Sequence, residues 1–375
     1  MIIDTGNAPL MFRSSVRTAL LLQFRPVLLL AVALLVACQT TPEVTAPLTQ
    51  APIATHVFTL ADDQTNVVGR LQITHAHAED TLSDIARRFN LGYEEIVRAN
   101  PGVDPWLPRE GTAILLPTQF VLPDGPREGL VINLAALRLY YFPPRRDGEP
   151  QTVITHPIGI GMVGWSTPIG TTRITKKRKD PAWHPPASVR REHAAEGDIL
   201  PARVEPGPDN PLGRFALNLD WPSYLIHGTN QPYGIGVRAS HGCIRLYPED
   251  IAQLYDDIPL GAPVTVVNQP QVYGRHADVD YLQSYPVMED YAKKKPMPSK
   301  KAGKKSKRSA APAVVKAAVD AQLYSSSPLV AELLNDPRGI AIPISTPEMN
   351  LEKVLGTAIP VENKLPDNAT WDGND

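Results

Sequence analysis

This chain has only two cysteines, almost no net charge and no long apolar run. Each of these features excludes a class of structure or partner. The only two cysteines are Cys38 and Cys243. If Cys38 is modified or removed, no intramolecular disulfide can form, and a lone thiol in an oxidising compartment favours a reactive role. The 37 basic and 39 acidic residues nearly cancel, so no overall field favours nucleic acid as a partner. The strongly apolar run at 27–37 is too short to span a bilayer comfortably.

Proline, in contrast, is abundant. The 39 prolines are about twice the usual share, which favours turns and short strands over long helices. The 375 residues are enough for two or three domains. We therefore expect a mainly β protein with more than one domain.

The N-terminus has the order of a secretory signal, with arginines before the apolar run, and we assign residues 1–38 to it. Its end, Leu-Val-Ala-Cys38, resembles the lipobox of bacterial lipoproteins. The resemblance implies lipidation of Cys38 and, with Gln39 following, a periplasmic protein anchored to the outer membrane. An ordinary cleaved signal is the alternative. Residues 39–69 are rich in proline, threonine and alanine, which predicts a linker.

Residues 70–118 have the pattern of a small α/β unit. Thr81 and Asp84 form a helix-start signature, and the apolar residues that follow recur at helical spacing. A second short helix stops at Asn100-Pro101, and flanking strands give the order βααβ. The unit resembles a LysM module, which implies binding to peptidoglycan glycan strands, although Glu79 replaces a common glycine. A packing module without a ligand is the alternative.

Residues 128–268 change to short β-forming runs separated by glycine and proline turns. The run 129–142 predicts two strands with side chains alternating between two faces, and only Tyr247–Ile258 has a helical rhythm. We expect an antiparallel, β-sandwich-like domain with one helix after Cys243. Residues 269–375 contain a lysine-rich run at 293–308 without acidic residues, so we expect this extension to be largely disordered.

The cysteine of the β domain has the surroundings that nucleophilic catalysis needs. A free thiol has a pKa of about 8.5, so a catalytic cysteine requires a nearby base or positive charge. His227 and His241 both precede Cys243 and each is followed by glycine. The backbone amides of Gly242 and Cys243 are candidates for an oxyanion hole. Two nearby arginines, Arg238 and Arg245, could bind a substrate carboxylate.

The motif His227-Gly228, followed by Ser240-His241-Gly242-Cys243-Ile244-Arg245, resembles the signature of the L,D-transpeptidase catalytic domain (YkuD type). The resemblance implies that Cys243 is the acyl-accepting nucleophile and that His227 is the proton donor and acceptor. It also implies that the backbone carbonyl of Gly228 orients His227.

For the neighbouring residues the resemblance implies supporting roles. His241 would shape the pocket, Arg245 would orient substrate or brace the loop, and Ser240 would be structural. Residues 180–209 would form a flap over the groove. In that flap, Trp183 is expected to be a wall, and His184 and His193 are expected to be surface or flap residues.

The reaction implied is cleavage of the bond between meso-diaminopimelate and D-alanine in a stem tetrapeptide, with transfer of the acyl group to an amine. The acceptor would be another stem peptide, which gives a 3→3 crosslink, or a lysine of an outer-membrane lipoprotein. No cofactor or metal is expected.

Three alternatives remain open. Transfer to water would make the chain an L,D-carboxypeptidase of the same fold. A peptidoglycan-binding protein without catalysis and a zinc-dependent wall hydrolase are the other two, and the second lacks a metal-ligand spacing such as HExxH.

Overall fold

The computed structural model describes residues 57–292, 294–297, 314–317, 319–346 and 348–364. Cys38, the predicted signal, the first part of the predicted linker and most of the lysine-rich run lie outside the described residues. The strands in these ranges are β1 (Val57–Thr59), β2 (Val67–Gly69), β3 (Gln72–His75), β4 (Ala113–Leu116), β5 (Gln119–Val121), β6 (Gly125–Pro126), β7 (Gly129–Asn133), β8 (Arg138–Phe142), β9 (Thr152–Pro157), β10 (Ile160–Gly161), β11 (Gly170–Lys179), β12 (Phe215–Leu219), β13 (Leu225–His227), β14 (Arg238–Ser240), β15 (Ile244–Arg245), β16 (Pro263–Val267), β17 (Gln271–His276), β18 (Val279–Ser284), β19 (Val314–Val315), β20 (Ala341–Pro343) and β21 (Ile359–Pro360).

The α-helices of the same ranges are α1 (Leu82–Arg88), α2 (Tyr93–Ala99), α3 (Ala187–Ala195), α4 (Pro248–Asp257), α5 (Pro328–Asn335) and α6 (Leu351–Leu355). None of these described helices combines the length and apolarity that a membrane crossing requires.

The N-terminal module has the predicted βααβ order. Strands β3 and β4 pair antiparallel, and α1 and α2 lie between them in the chain. Helix α1 starts at the predicted signature: Thr81 Oγ1 accepts a hydrogen bond from Asp84 N (3.2 Å), and Asp84 Oδ2 accepts one from Thr81 N (2.9 Å). This reciprocal cap satisfies amide groups that have no partner inside the helix. The turn after α1 contains Asn90 in the left-handed region, at φ 50°.

The second module is built on a nine-stranded sheet in the order β1-β9-β8-β7-β16-β11-β12-β13-β15. The pairs β7–β16 and β13–β15 are parallel, and the remaining pairs are antiparallel. The predicted mainly β architecture is therefore confirmed, and α4 follows Cys243 as expected. Two strands lie in the predicted linker: β1 pairs with β9 in this sheet, and β2 pairs with β5 in a separate two-stranded sheet.

Strands β7 and β8 are buried on both faces. A β-hairpin at the surface of a protein would instead expose one face to water. Leu130, Leu139 and Tyr141 pack in the core of the second module. Their neighbours on the other face, such as Val131 and Tyr140, share a second core with the LysM-like helices. The alternation that the sequence shows therefore separates two cores, because the small module covers the face that would otherwise meet water.

A buried ion pair crosses this second core. Arg138 Nε and Nη2 on β8 donate to the two carboxylate oxygens of Glu95 on α2, at 2.7 and 2.8 Å. Arg138 Nη2 also donates to the Asn90 carbonyl oxygen (3.0 Å), and Glu95 accepts from the Gly92 amide (2.6 Å). Because both charges are buried, each depends on these partners to remain charged.

Helix α4 also contacts the N-terminal module. Arg87 forms a two-point ion pair with Glu249 (3.0 and 3.1 Å), and the Tyr247 hydroxyl donates to the Leu91 carbonyl oxygen (3.0 Å). Helix α4, which follows Cys243 in the chain, is thus anchored to the LysM-like module by these contacts.

The predicted disorder of residues 269–375 is wrong for much of the described part of that range. Strands β17, β18 and β20 form a three-stranded sheet, and Ser284 Oγ donates to the Leu333 carbonyl oxygen of α5 (2.6 Å). A third core joins aliphatic residues of this region to Leu71 and Leu115 of the N-terminal module. The lysine-rich composition hides this, because the scattered aliphatic residues find their partners only in the folded chain.

The last described strand completes the LysM-like module. Strand β21 pairs parallel with β3, and the side chain of Val361 is buried in the second core. Thr74 Oγ1 donates to the Val361 carbonyl oxygen (2.9 Å), while Asn363 Nδ2 donates to Asp80 Oδ2 (2.6 Å). Arg88 Nη1 donates to Asn363 Oδ1 (2.6 Å). Residues almost 300 positions apart thus form one unit.

Replacing Arg138 with methionine is expected to lower the free energy of unfolding by about 3–5 kcal/mol, because Glu95 stays buried without its cation. Urea unfolding followed by circular dichroism measures the loss. Arg145→Met is the matched control, since Arg145 is 48% exposed in its pair with Asp63 (3.1 Å), and it should cost less than about 1 kcal/mol. Equal losses in the two variants would contradict a dominant role for the buried pair.

Candidate active site

A cleft of about 430 Å³ contains both members of the predicted catalytic pair, His227 and Cys243. His227 ends β13 and lies opposite Arg245 on the parallel strand β15. Cys243 lies two residues before Arg245, and side chains two apart along an extended chain project to the same side. The structure thus places these three residues in one cleft, and their roles stay predictions at this point.

The His227 side chain is buried and has a defined tautomer. Its Nδ1 lies 2.6 Å from the Gly228 carbonyl oxygen. A carbonyl oxygen can only accept a hydrogen bond, so Nδ1 carries the proton of the neutral ring and Nε2 is available as a base. Burial, aided by the positive charge of Arg245, lowers the pKa of His227 from 6.5 to about 3.

The Cys243 thiol is half-buried, and its Sγ lies 3.7 Å from the Ser223 carbonyl oxygen. Burial raises the pKa of Cys243, and the Leu225 backbone and the charge of Arg245 oppose this rise. Because the pKa of His227 is lowered and that of Cys243 is raised, both side chains are neutral near pH 7. Ser223 itself adopts φ 69°, a left-handed conformation that is uncommon outside glycine and that recurs at functional sites.

The loop before Cys243 is fixed by Ser240. Its Oγ donates to the Cys243 carbonyl oxygen (2.6 Å) and accepts from the Gly242 amide (3.2 Å). The Gly242 amide therefore already has an acceptor, and the oxyanion hole expected from the Gly242 and Cys243 amides stays a prediction. The Cys243 amide has no hydrogen-bond partner among the described residues and remains a candidate. Gly242 has φ 103°, which only glycine adopts without strain.

His241 lies on the flap side of the cleft. Its Nε2 is 3.3 Å from Glu192 Oε2 on α3, and its ring packs edge-on against Trp165 at 5.1 Å between centroids. Burial is the main cause that lowers the pKa of His241. His193, also on α3, contacts the His241 ring at 5.8 Å.

The predicted flap, residues 180–209, borders the cleft as expected. Trp183 and His184 line it, and Trp183 forms an isolated bridge with Val204 that closes the base of the flap. His193 lies 2.7 Å from Asp198 within the same segment.

The two arginines predicted to bind a carboxylate are in different places. Arg245 lines the cleft, and its Nε is buried without a hydrogen-bond partner in the described part of the chain. Arg238 does not line the cleft, and it forms a two-point ion pair with Asp290 at 3.0 and 2.7 Å. The prediction that Arg238 contacts substrate is therefore not supported, because its charge is already neutralised by a residue outside the predicted domain.

Profiles of two protein families match the chain, the L,D-transpeptidase catalytic domain (YkuD) at residues 127–266 and the LysM domain at residues 78–117. Probable L,D-transpeptidase YbiS of Escherichia coli strain K12 is 43% identical over 216 residues, which are 57% of this chain and 69% of YbiS. The chain belongs to the L,D-transpeptidase family. The predicted family resemblance is thereby confirmed.

A second relative agrees with this assignment. Probable L,D-transpeptidase YcfS of the same strain is 45% identical over 194 residues, 51% of this chain and 59% of YcfS. The chain thus spans between 59% and 69% of these two relatives. A solved L,D-transpeptidase from Mycobacterium smegmatis is 23% identical, covers 40% of this chain and 62% of that chain, and has a TM-score of 0.27.

In this L,D-transpeptidase the zinc alternative has no ligand set in the part of the chain that the structure describes. No group there of three or more histidine, cysteine, aspartate or glutamate side chains could hold a metal ion. His184, His193 and His241 lie in or beside the flap, and the Nδ1 of His227 is committed to a carbonyl oxygen.

Sequence reasoning missed several residues of the L,D-transpeptidase cleft, notably Arg178, Asn218 and Tyr224. Arg178 stands in the basic run Lys176–Lys179, which looks like a solvated strand edge. Only the pairing of β11 with β12 shows that Arg178 faces Asn218 and the cleft.

Alkylation of Cys243 by iodoacetamide should be slow at pH 7 and should still accelerate above pH 9, because the neutral thiol is favoured and the thiolate is the reactive form. The Cys38→Ser chain makes Cys243 the sole thiol, and mass spectrometry of the adduct gives the rate. Free cysteine under the same conditions is the reference. A rate that levels off below pH 7 would instead indicate a stable thiolate–imidazolium pair.

Proposed function

We propose that this chain is a peptidoglycan L,D-transpeptidase that cleaves the bond between meso-diaminopimelate and D-alanine in stem tetrapeptides and transfers the acyl group to an amine. The observation that carries the proposal is the shared cleft of Cys243 and His227, with Nδ1 of His227 2.6 Å from the Gly228 carbonyl oxygen. The names of its relatives support the same reaction class.

In the first half-reaction, Cys243 Sγ attacks the carbonyl carbon of the third residue while His227 Nε2 takes the thiol proton. The proton moves as the S–C bond forms, which suits a pair that is neutral at rest. His227 then gives this proton to the leaving nitrogen, the C–N bond breaks, and D-alanine departs. A thioester remains on Cys243. The Cys243 amide is the candidate donor to the carbonyl oxygen as negative charge develops.

In the second half-reaction an amine attacks the thioester and His227 accepts its proton. If the amine belongs to another stem peptide, a 3→3 crosslink forms, and if it belongs to a lysine of an outer-membrane lipoprotein, that protein becomes attached to the wall. Attack by water would give the carboxypeptidase alternative.

The LysM-like module would hold the enzyme on glycan strands and so raise the local concentration of stem peptides. Trp106 supports this role, since it is 69% exposed and packs against Tyr93 with 6.1 Å between ring centroids. Tryptophan and tyrosine are enriched at binding interfaces, because their rings combine a large apolar surface with a polar group. Such a substrate places the protein outside the cytoplasm, in agreement with the signal and the lipidated Cys38 proposed from the sequence.

Incubation of the chain with disaccharide tetrapeptide should release D-alanine and, with a lysine-terminated peptide present, should give an adduct of both peptides. Mass spectrometry identifies each product. Cys243→Ala should abolish both products, and His227→Gln should lower turnover by about 10²–10⁴-fold, because the proton transfer is lost. Turnover that survives in Cys243→Ala would exclude this cysteine as the nucleophile.

Trp106→Ala should weaken binding to purified peptidoglycan by about 3- to 10-fold, through loss of an aromatic contact. Co-sedimentation of the Cys243→Ala chain, which cannot consume the peptides, measures binding without turnover. Leu260→Ala is the control, because Leu260 is also exposed (64%) but lies in the loop after α4. If both variants bind like the parent, Trp106 is not part of the glycan site.

A further inference from the structure

We infer that Arg178 selects acyl donors whose third residue carries a carboxylate at the end of a long side chain. The inference rests on the proposed function, because it names a feature of the donor in that reaction. It concerns the half of the cleft that lies away from Cys243, which the family motif does not include.

The register of four neighbouring strands places Arg178 and Arg245 on either side of His227. Arg178 pairs with Ala216, Ala216 pairs with His227, and His227 pairs with Arg245. Residues opposite each other on neighbouring strands have their side chains on the same face of a sheet. Since all three longer side chains also line the cleft, they form one row along its floor, interrupted only by the methyl group of Ala216.

The charge of this row has no counterion within the cleft. Among the described residues that line it, none is acidic. Arg178 Nε donates to Asn218 Oδ1 (3.1 Å), and its two terminal nitrogens have no hydrogen-bond partner among the described residues. The flap carboxylate of Glu192 faces His241 at 3.3 Å instead. Two guanidinium groups without a counterion in one cleft favour an anionic ligand.

The spacing of the row assigns a different carboxylate to each arginine. Neighbouring strands lie about 4.8 Å apart, so Arg245 is about 5 Å and Arg178 about 10 Å from His227 at the level of the backbone. The leaving residue carries its carboxylate next to the bond that breaks. The carboxylate of a diaminopimelate side chain lies six bonds from that carbonyl carbon, about 7–8 Å when extended. Arg245 therefore suits the leaving residue, and Arg178 suits the side chain.

Because Arg178 also contacts Asn218, the test separates recognition of the substrate carboxylate from a purely structural role of Arg178. Two disaccharide tetrapeptides serve as probes, one with the free side-chain carboxylate of diaminopimelate and one with that carboxylate amidated. Release of D-alanine gives kcat and KM for each. The native enzyme should prefer the acid by about 10- to 100-fold in kcat/KM, as expected for a charge-assisted pair.

Arg178→Gln should bring the ratio of acid to amide close to one, mainly by raising KM for the acid, and Arg178→Lys should keep part of the preference. Arg173→Gln is the matched control, because Arg173 is on the same strand but pairs with Asp220 (3.5 Å) and does not line the cleft. It should keep the native ratio.

The outcomes distinguish this inference from the proposed function. If the native enzyme uses acid and amide equally, or if Arg178→Gln slows both probes by the same factor, the selection by Arg178 is wrong while the transpeptidase reaction stands. If the native enzyme releases no D-alanine from either probe, the proposed function fails and the inference fails with it.

Discussion

The burial of β7 and β8 on both faces is the constraint on which the rest of the structure depends. One face of this strand pair supports the core beneath the cleft, and the other is covered by the LysM-like helices. The pair Arg138–Glu95 crosses the second face at 2.7 Å and satisfies charges that could not otherwise stay buried. The LysM-like module and the L,D-transpeptidase module are therefore not two domains on a flexible tether. They share the second core, and helix α4, which follows the Cys243 loop, is part of the contact.

Local signals were sufficient for much of this architecture. The cap formed by Thr81 and Asp84, the strands of the catalytic module and α4 were predictable, because each depends on residues close together in the sequence. The motif around Cys243 likewise located the cleft. Contacts between distant residues were not predictable: Arg178 looked like one charge in a basic run, and Arg238 looked available for substrate until Asp290 was found beside it. The same reason explains the extension after 268, whose lysine-rich composition gave no sign of β17, β18 and β21.

Proton transfer and anion binding are assigned to different side chains of the cleft. Burial keeps His227 and Cys243 neutral at rest, and in the proposed mechanism the proton moves only when the substrate carbonyl is attacked. The permanent positive charge is carried by arginines that flank the pair and are available to bind anions. Gly242, directly before Cys243, has a positive φ, and so does Ser223, whose carbonyl oxygen lies 3.7 Å from Cys243 Sγ. This fits the tendency of unusual backbone conformations to occur at functional sites.

The strand β21 makes the integrity of the small module depend on the far end of the chain. Its partner β3 is synthesised almost 300 residues earlier. The position of Val361 in the second core therefore stays unfilled until β21 has been synthesised and has paired with β3. A chain that stops or is cut between Asn268 and Ile359 would keep every residue of both matched family domains. It would nevertheless lack one strand of the LysM-like module and the Val361 side chain that is buried in its core. Folding of this module thus requires that the chain has been made at least as far as Asn363, a dependence on chain length that neither matched domain contains by itself.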